Sequence, residues 1–255
     1  MASNTPKKAR GAFLLPNAFT TAALLAGFYA IIASFNGDII AACVAILVAG
    51  ILDGVDGRIA RMTNTQSAFG VQYDSLSDLV SFGMAPGFLA FAWVSSALGA
   101  PDTTTAKLGW LAAFFYTACA ALRLARFNTQ AGVADKAYFQ GMATPAAAGT
   151  LMSTVWFSID RGVPSEVMAG PVLILMVLLG ALMVSGIRYF SFKQAPTSGR
   201  VPITKVLVVI AVLTLLAIDL PAVLLAIGVS YTLSGPLLTV KGRYAAQRRR
   251  RRGQE

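Results

Sequence analysis

The sequence predicts an all-α fold, a polytopic transmembrane helix bundle of about eight helices with both termini cytoplasmic. Three observations point there. Of 255 residues, 56% are hydrophobic and only 13% charged. Stretches such as Ala22 to Ala33 and Val206 to Ala217 carry no charge at all. Most apolar segments lack the polar stripe that a soluble core helix presents to water, which is the pattern of helices surrounded by lipid.

The elements follow from hydropathy and turn chemistry. A first helix spans Leu14 to Phe35, with Pro16 in its first turn, where a missing N–H is no loss. Asn36-Gly37-Asp38 makes a compact turn into a second helix, Ile39 to Met62, so the two form an antiparallel pair. Further helices are predicted over Gly70 to Leu98, Leu108 to Phe127, Thr144 to Ile159, Pro164 to Phe190, Ile203 to Ile218 and Pro221 to Val240. Residues 1–13 read as a basic tail, 14–240 as the membrane domain and 241–255 as a polybasic tail. The first hydrophobic stretch is followed by many others and not by a small-residue cleavage site and a soluble domain, so a cleaved signal peptide is not expected.

Orientation follows from the retention of Lys and Arg on the cytoplasmic side during insertion. With the N-terminus inside, only Lys107 and Arg161 of the 21 basic residues fall in outside loops. The net charge of +10 and the Arg248 to Arg252 run fit attraction to anionic membrane lipids. A polybasic segment directly after a membrane helix argues against a nucleic-acid partner. Histidine is absent, so acid-base work falls to other groups, of which only carboxylates are clustered. Cys43 and Cys119 each sit in an apolar run and read as small packing residues, not as a zinc site or a disulfide framework.

Four of the eleven acids form one pattern, D-x2-D-G-x2-A-R-x8-G-x3-D-x3-D, through Asp53, Asp56, Gly57, Ala60, Arg61, Gly70, Asp74 and Asp78. Spacings of three, four and seven place Asp53, Asp56, Gly57 and Ala60 on one side of a helix, and Asp74 and Asp78 share a face of the next. Small residues beside acids leave room for a ligand, and Arg61 offers a forked cation to a phosphate. Charges in a membrane are expensive and imply partners. Converging carboxylates would repel or protonate unless cations compensate them. Hard oxygen ligands suit Mg2+ or Mn2+, and four carboxylates can hold two divalent cations of the kind used in phosphoryl chemistry. A cation or proton transporter is the rival from another class, and it predicts acids spread through the membrane depth, whereas these cluster at one end.

At these residues the chain resembles the CDP-alcohol phosphotransferase family, whose signature is this string with this spacing. The resemblance implies a six-helix family core plus two further helices. It implies Asp53, Asp56, Asp74 and Asp78 as metal ligands, with Asp78 also the catalytic base that takes the proton of an acceptor alcohol. Asp56, Gly57, Ala60, Arg61 and Gly70 would hold the CDP group. Further matching stretches are Pro16-Asn17 with Thr20, Ser81 to Pro86, Arg123 to Asn128, and Phe139-Gln140-Gly141 with Pro145. They are most like the branch that uses CDP-diacylglycerol and L-serine and releases CMP, and Ala143 stands where many relatives carry proline. That likeness implies Asn17 and Thr20 at the CDP site and Arg123 and Arg126 on the serine carboxylate or a lipid phosphate. Glycerol 3-phosphate or an inositol derivative is the alternative acceptor. Gly83 and Pro86 predict a bend in the third helix that opens a cavity beside Asp78. The expected setting is the bacterial inner membrane, with the site facing the cytoplasm and a homodimer as the assembly.

Overall fold

The computed structural model describes residues 14–62, 67–130, 138–190 and 203–252, and most of these are helical. The N-terminal tail, 1–13, lies outside the described residues. Helices α1 (Leu14–Phe35) and α2 (Ile39–Met62) have the bounds that hydropathy predicts. Gly37 turns the chain between them at φ 80°. The Asp38 carboxylate then accepts the Ala41 N–H at 3.1 Å and caps α2. The pair packs through buried alanines, among them Ala30, Ala33, Ala42 and Ala45. Small side chains let membrane helices approach closely, where dispersion replaces the hydrophobic drive.

The third rod, Ala68–Leu98, changes its winding along its length. Helix α3 (Ala68–Asp78) passes into a π turn over Leu79–Met84, then into α4 (Ala85–Val94) and a closing 3-10 turn, Ser95–Leu98. Pro86 explains the irregularity, because it has no N–H to give the carbonyl four residues earlier. That carbonyl, on Phe82, instead accepts the Tyr116 hydroxyl at 3.1 Å. The Gly83 carbonyl takes Thr117 Oγ1 at 3.3 Å, and the Ala85 N–H reaches back to Val80. The irregularity expected at Gly83 and Pro86 takes the form of a π turn, and Gly83 itself is packed against the helix that follows. A Cβ there would stand 3.2 Å from Ala120 Cβ, so the missing side chain admits the next helix.

That helix is α5 (Thr104–Gln130), followed by α6 (Thr144–Asp160), α7 (Ser165–Val184), α8 (Ile203–Ile218) and α9 (Leu220–Arg252). Among the described residues, six helices are long and apolar enough to cross a membrane. Helices α6 and α8 are shorter, at 17 and 16 residues. Even so, α6 is central, with Ala147, Leu151 and Val155 fully buried, whereas α8 is exposed along most of its length and packs on α9. Large apolar side chains such as Phe35, Phe114 and Ile174 stand on the outer surface. A bundle apolar outside as well as inside belongs in lipid, and the chain is an integral membrane protein.

Two features depart from the hydropathy reading. The sixth predicted helix does not continue to Phe190. It stops at Val184, and β2 (Arg188–Phe190) pairs antiparallel with β1 (Tyr138–Gln140). The cause is tertiary: the Met142 N–H takes the Leu182 carbonyl at 3.0 Å, and the Gly141 N–H takes that of Ile187 at 2.9 Å. Gly141 has φ 82°, and a Cβ there would lie 2.1 Å from the Met183 carbonyl oxygen, so only glycine fits. Secondly, α9 continues past Val240 to Arg252, carrying the polybasic run on helical backbone. Tyr189 of β2 is buried against α9, where Gly235 leaves space for its ring and the Thr232 carbonyl accepts its hydroxyl at 3.2 Å. Burial, with Tyr231 alongside, pushes the Tyr189 phenol up to about 12.

Helix α1 meets the third rod at Gly27, where a Cβ would fall 2.7 Å from the Ser81 Cα. Backbone cannot yield as a flexible side chain can, so Gly27→Ala should cost roughly 1–3 kcal/mol and lower the thermal midpoint in detergent. Gly170→Ala, where a Cβ meets nothing within 4 Å, is the control and should leave that midpoint unchanged or slightly raised. Equal midpoints for the two variants would contradict the close approach of α1.

Candidate active site

The acids of α2 and α3 converge. One carboxylate oxygen each from Asp53, Asp56 and Asp74 lies within 4.8 Å of the others, a group that can hold a metal ion. The donor set fits a hard divalent cation, since every ligand is an anionic oxygen. Asp78 is outside this trio but adjoins it, with Asp53, Asp74 and Arg123 as charged neighbours. Asp56 is 5% exposed, and Asp53, Asp74 and Asp78 are half-buried.

Local sequence explains the convergence. Ser67 caps α3 by accepting the Gly70 N–H at 3.0 Å, which fixes where the helix starts and so where Asp74 and Asp78 point. Three contacts hold α3 and the π turn to α1. Ser77 Oγ donates to the Thr20 carbonyl at 3.2 Å, Ser81 Oγ donates to the Ala23 carbonyl at 3.1 Å, and the hydroxyls of Tyr73 and Thr21 meet at 2.9 Å. On α2, Thr20 Oγ1 donates to Asp56 Oδ2 at 2.7 Å. Helix α1 therefore holds both acidic helices without contributing an acid itself.

The remaining sequence candidates divide. A Cβ at Gly54 or Gly57 would meet nothing within 4 Å, so this stretch of α2 is open beside the acids. Gly70 lies next to Asn17, whose Oδ1 would be 3.7 Å from a Cβ at that position. Ala60 and Arg61 belong to the last turns of α2, and their side chains lie outside the described set. Arg123 adjoins Asp78 and donates from Nη1 to Thr144 Oγ1 at 2.6 Å. Its Nε is buried with no hydrogen-bond partner among the described residues. Arg126 is engaged structurally, bonded to the Gln140 side chain and to the Val184 carbonyl.

Three residues escaped the sequence reading. Thr144 orients Arg123, Ser77 locks α3 onto α1, and Tyr231 of α9 is among the groups facing Arg123. Only Ser77 had a visible signal, its place directly before Asp78. The other described acids, Asp38, Asp102, Asp160, Glu166 and Asp219, stand at helix ends or in turns. No file of acids crosses the described bundle, which is contrary to the transporter expectation.

The fold and this site define an integral membrane protein with a carboxylate cluster able to hold metal at the ends of two adjoining helices. The sequence model of the CDP-alcohol phosphatidyltransferase family matches residues 13–171, and the chain belongs to that family. A Helicobacter pylori protein named CDP-diacylglycerol–serine O-phosphatidyltransferase is 36% identical over 182 residues, covering 71% of this chain and 74% of the relative. A protein of the same name from Mycobacterium leprae is 35% identical over 155 residues, 58% of this chain and 49% of the relative. An archaetidylserine synthase from Methanothermobacter thermautotrophicus is 33% identical over 185 residues, 72% of each chain.

The open stretch at Gly57 generates a test. Gly57→Leu should leave the thermal midpoint within about 2 °C of wild type, because surface changes away from packing cost at most roughly 0.5 kcal/mol. It should weaken binding of a CDP ligand at least about tenfold, the effect of roughly 1.4 kcal/mol of lost contact. Calorimetric titration checks this, and undiminished affinity would remove Gly57 from the ligand face.

Proposed function

We propose that this chain transfers the phosphatidyl group of CDP-diacylglycerol to the hydroxyl of L-serine, giving phosphatidylserine and CMP. The observation that carries this reading is the meeting of Asp53, Asp56 and Asp74, with Asp78 and Arg123 adjoining. Serine as acceptor is supported by the names of the relatives above. The site faces the cytoplasm of a bacterial inner membrane, with Lys and Arg concentrated on that side and the basic tail against anionic lipid.

The residues divide the work. Asp53, Asp56, Asp74 and Asp78 would hold two divalent cations, Mg2+ or Mn2+, which would offset the charge of the phosphates and of the leaving oxygen. Asp78 accepts the proton of the serine hydroxyl as that oxygen attacks the phosphate, and a carboxylate in hydrogen-bond reach suits the task. Arg123 receives the serine carboxylate: Nη1 is occupied by Thr144, while the buried Nε has no acceptor among the described residues. Arg126 has the lesser claim, because Gln140 and Val184 already hold its guanidinium. Gly57 and Gly70, with Asn17, Ala60 and Arg61, flank the CDP group. Holding nucleotide and acceptor together supplies proximity, while the diacyl tails remain in lipid.

Two experiments check the reading. Purified protein offered CDP-diacylglycerol with labelled serine, glycerol 3-phosphate and inositol phosphate in parallel should place only serine into lipid. Label from another acceptor in the product would replace serine as substrate. Asp78→Asn should reduce turnover by about 10²–10⁴-fold, the usual contribution of a positioned base, with membrane insertion intact. Near-normal turnover would exclude Asp78 as the base.

A further inference from the structure

We propose that Thr20 is a positioning residue that aims the Asp56 carboxylate at the shared ion site and ties α2 to α3. The proposal rests on the metal-site reading above. Thr20 is 5% exposed, and so is the Asp56 side chain it meets. Its hydroxyl donates to Asp56 Oδ2 at 2.7 Å, while its own carbonyl accepts Ser77 Oγ at 3.2 Å, one residue before Asp78. One residue of α1 thus grips an acid of α2 by its side chain and the acidic turn of α3 by its backbone.

This role differs from the nucleotide contact that family resemblance implies for Thr20. The Thr20 hydroxyl is buried against Asp56, and the open stretch lies at Gly54 and Gly57 instead. A carboxylate has two oxygens, and engaging Oδ2 in a charge-assisted hydrogen bond restrains rotation of the group, so that Oδ1 keeps one direction. Removing a partner that orients a metal-binding carboxylate typically weakens metal affinity by about 10–100-fold. Losing the donor also leaves a buried carboxylate oxygen unsatisfied.

The test uses full-length protein in detergent, with free Mn2+ read by electron paramagnetic resonance during titration. Thr20→Val keeps the shape and loses the donor; Thr20→Ser keeps the donor. The valine variant should bind Mn2+ about tenfold more weakly or worse, and the serine variant within about threefold of wild type. The KM for CDP-diacylglycerol at saturating Mn2+ should be unchanged in both. Valine-variant affinity equal to wild type would overturn the proposal, as would a serine variant as weak as valine, which would indicate packing alone. A raised KM with undisturbed Mn2+ binding would restore the nucleotide-contact role and also overturn it. Should Thr20→Val not fold, Thr20→Cys, a weak donor of similar size, should fall between wild type and the tenfold loss, and wild-type affinity there would refute the idea. Wild-type protein without saturable Mn2+ binding would remove the metal-site reading itself, an outcome distinct from equal binding by wild type and valine variant.

Discussion

Mutual repulsion of carboxylates is the constraint on which the architecture turns. Two unit charges about 4.8 Å apart repel by roughly 3.5 kcal/mol at an effective dielectric of about 20. The Asp53, Asp56 and Asp74 oxygens all lie within that distance of one another, giving a total on the order of 10 kcal/mol. That rivals the roughly 5–15 kcal/mol by which a typical domain is stable. An ionised cluster therefore needs positive charge, and a divalent cation would supply it without a bulky side chain. The cost of assembling the acids would then become the source of ion affinity.

Holding such a cluster requires a rigid frame, and the surrounding helices are specialised for close contact. Gly27 lets α1 lie against the Ser81 backbone, while Gly83 and Gly87 admit α5 from the other side. Pro86 leaves the Phe82 carbonyl, in the π turn directly after Asp78, without the N–H that an ordinary helix would offer it. Tyr116 of α5 takes it up and Thr117 bonds the Gly83 carbonyl, so the irregularity becomes a set of ties between helices. In lipid no water can make such bonds, and each contact fixes one helix on another. The same ties bring Arg123, two turns further along α5, alongside Asp78.

Much of this was legible in the sequence because lipid imposes simple rules. The bounds of α1, α2 and α8 follow directly from runs of apolar residues ended by polar or turn-forming ones. The acidic motif was legible for a different reason: periodicity alone puts its residues on common helix faces. Features that depend on distant partners were hidden. The β1–β2 ladder arises where the Met142 N–H caps the end of α7, a bond between residues forty apart in sequence. Pro86 announced an irregular third helix, but only the Tyr116 hydroxyl and the small Gly83 reveal how that turn packs on α5. Arg123 and Arg126 look equivalent as text, and Gln140 distinguishes them in space. Thr20 was marked by resemblance alone, and its buried hydrogen bond to Asp56 is visible only in space.

A divalent ion shared between α2 and α3 is the hinge of this description, and manganese makes it directly visible. Crystals of the protein grown with saturating Mn2+ should give anomalous density in contact with Asp53, Asp56 and Asp74. Density confined to other surfaces, or none at saturation, would contradict a shared ion and leave the convergence of these helices without a chemical purpose.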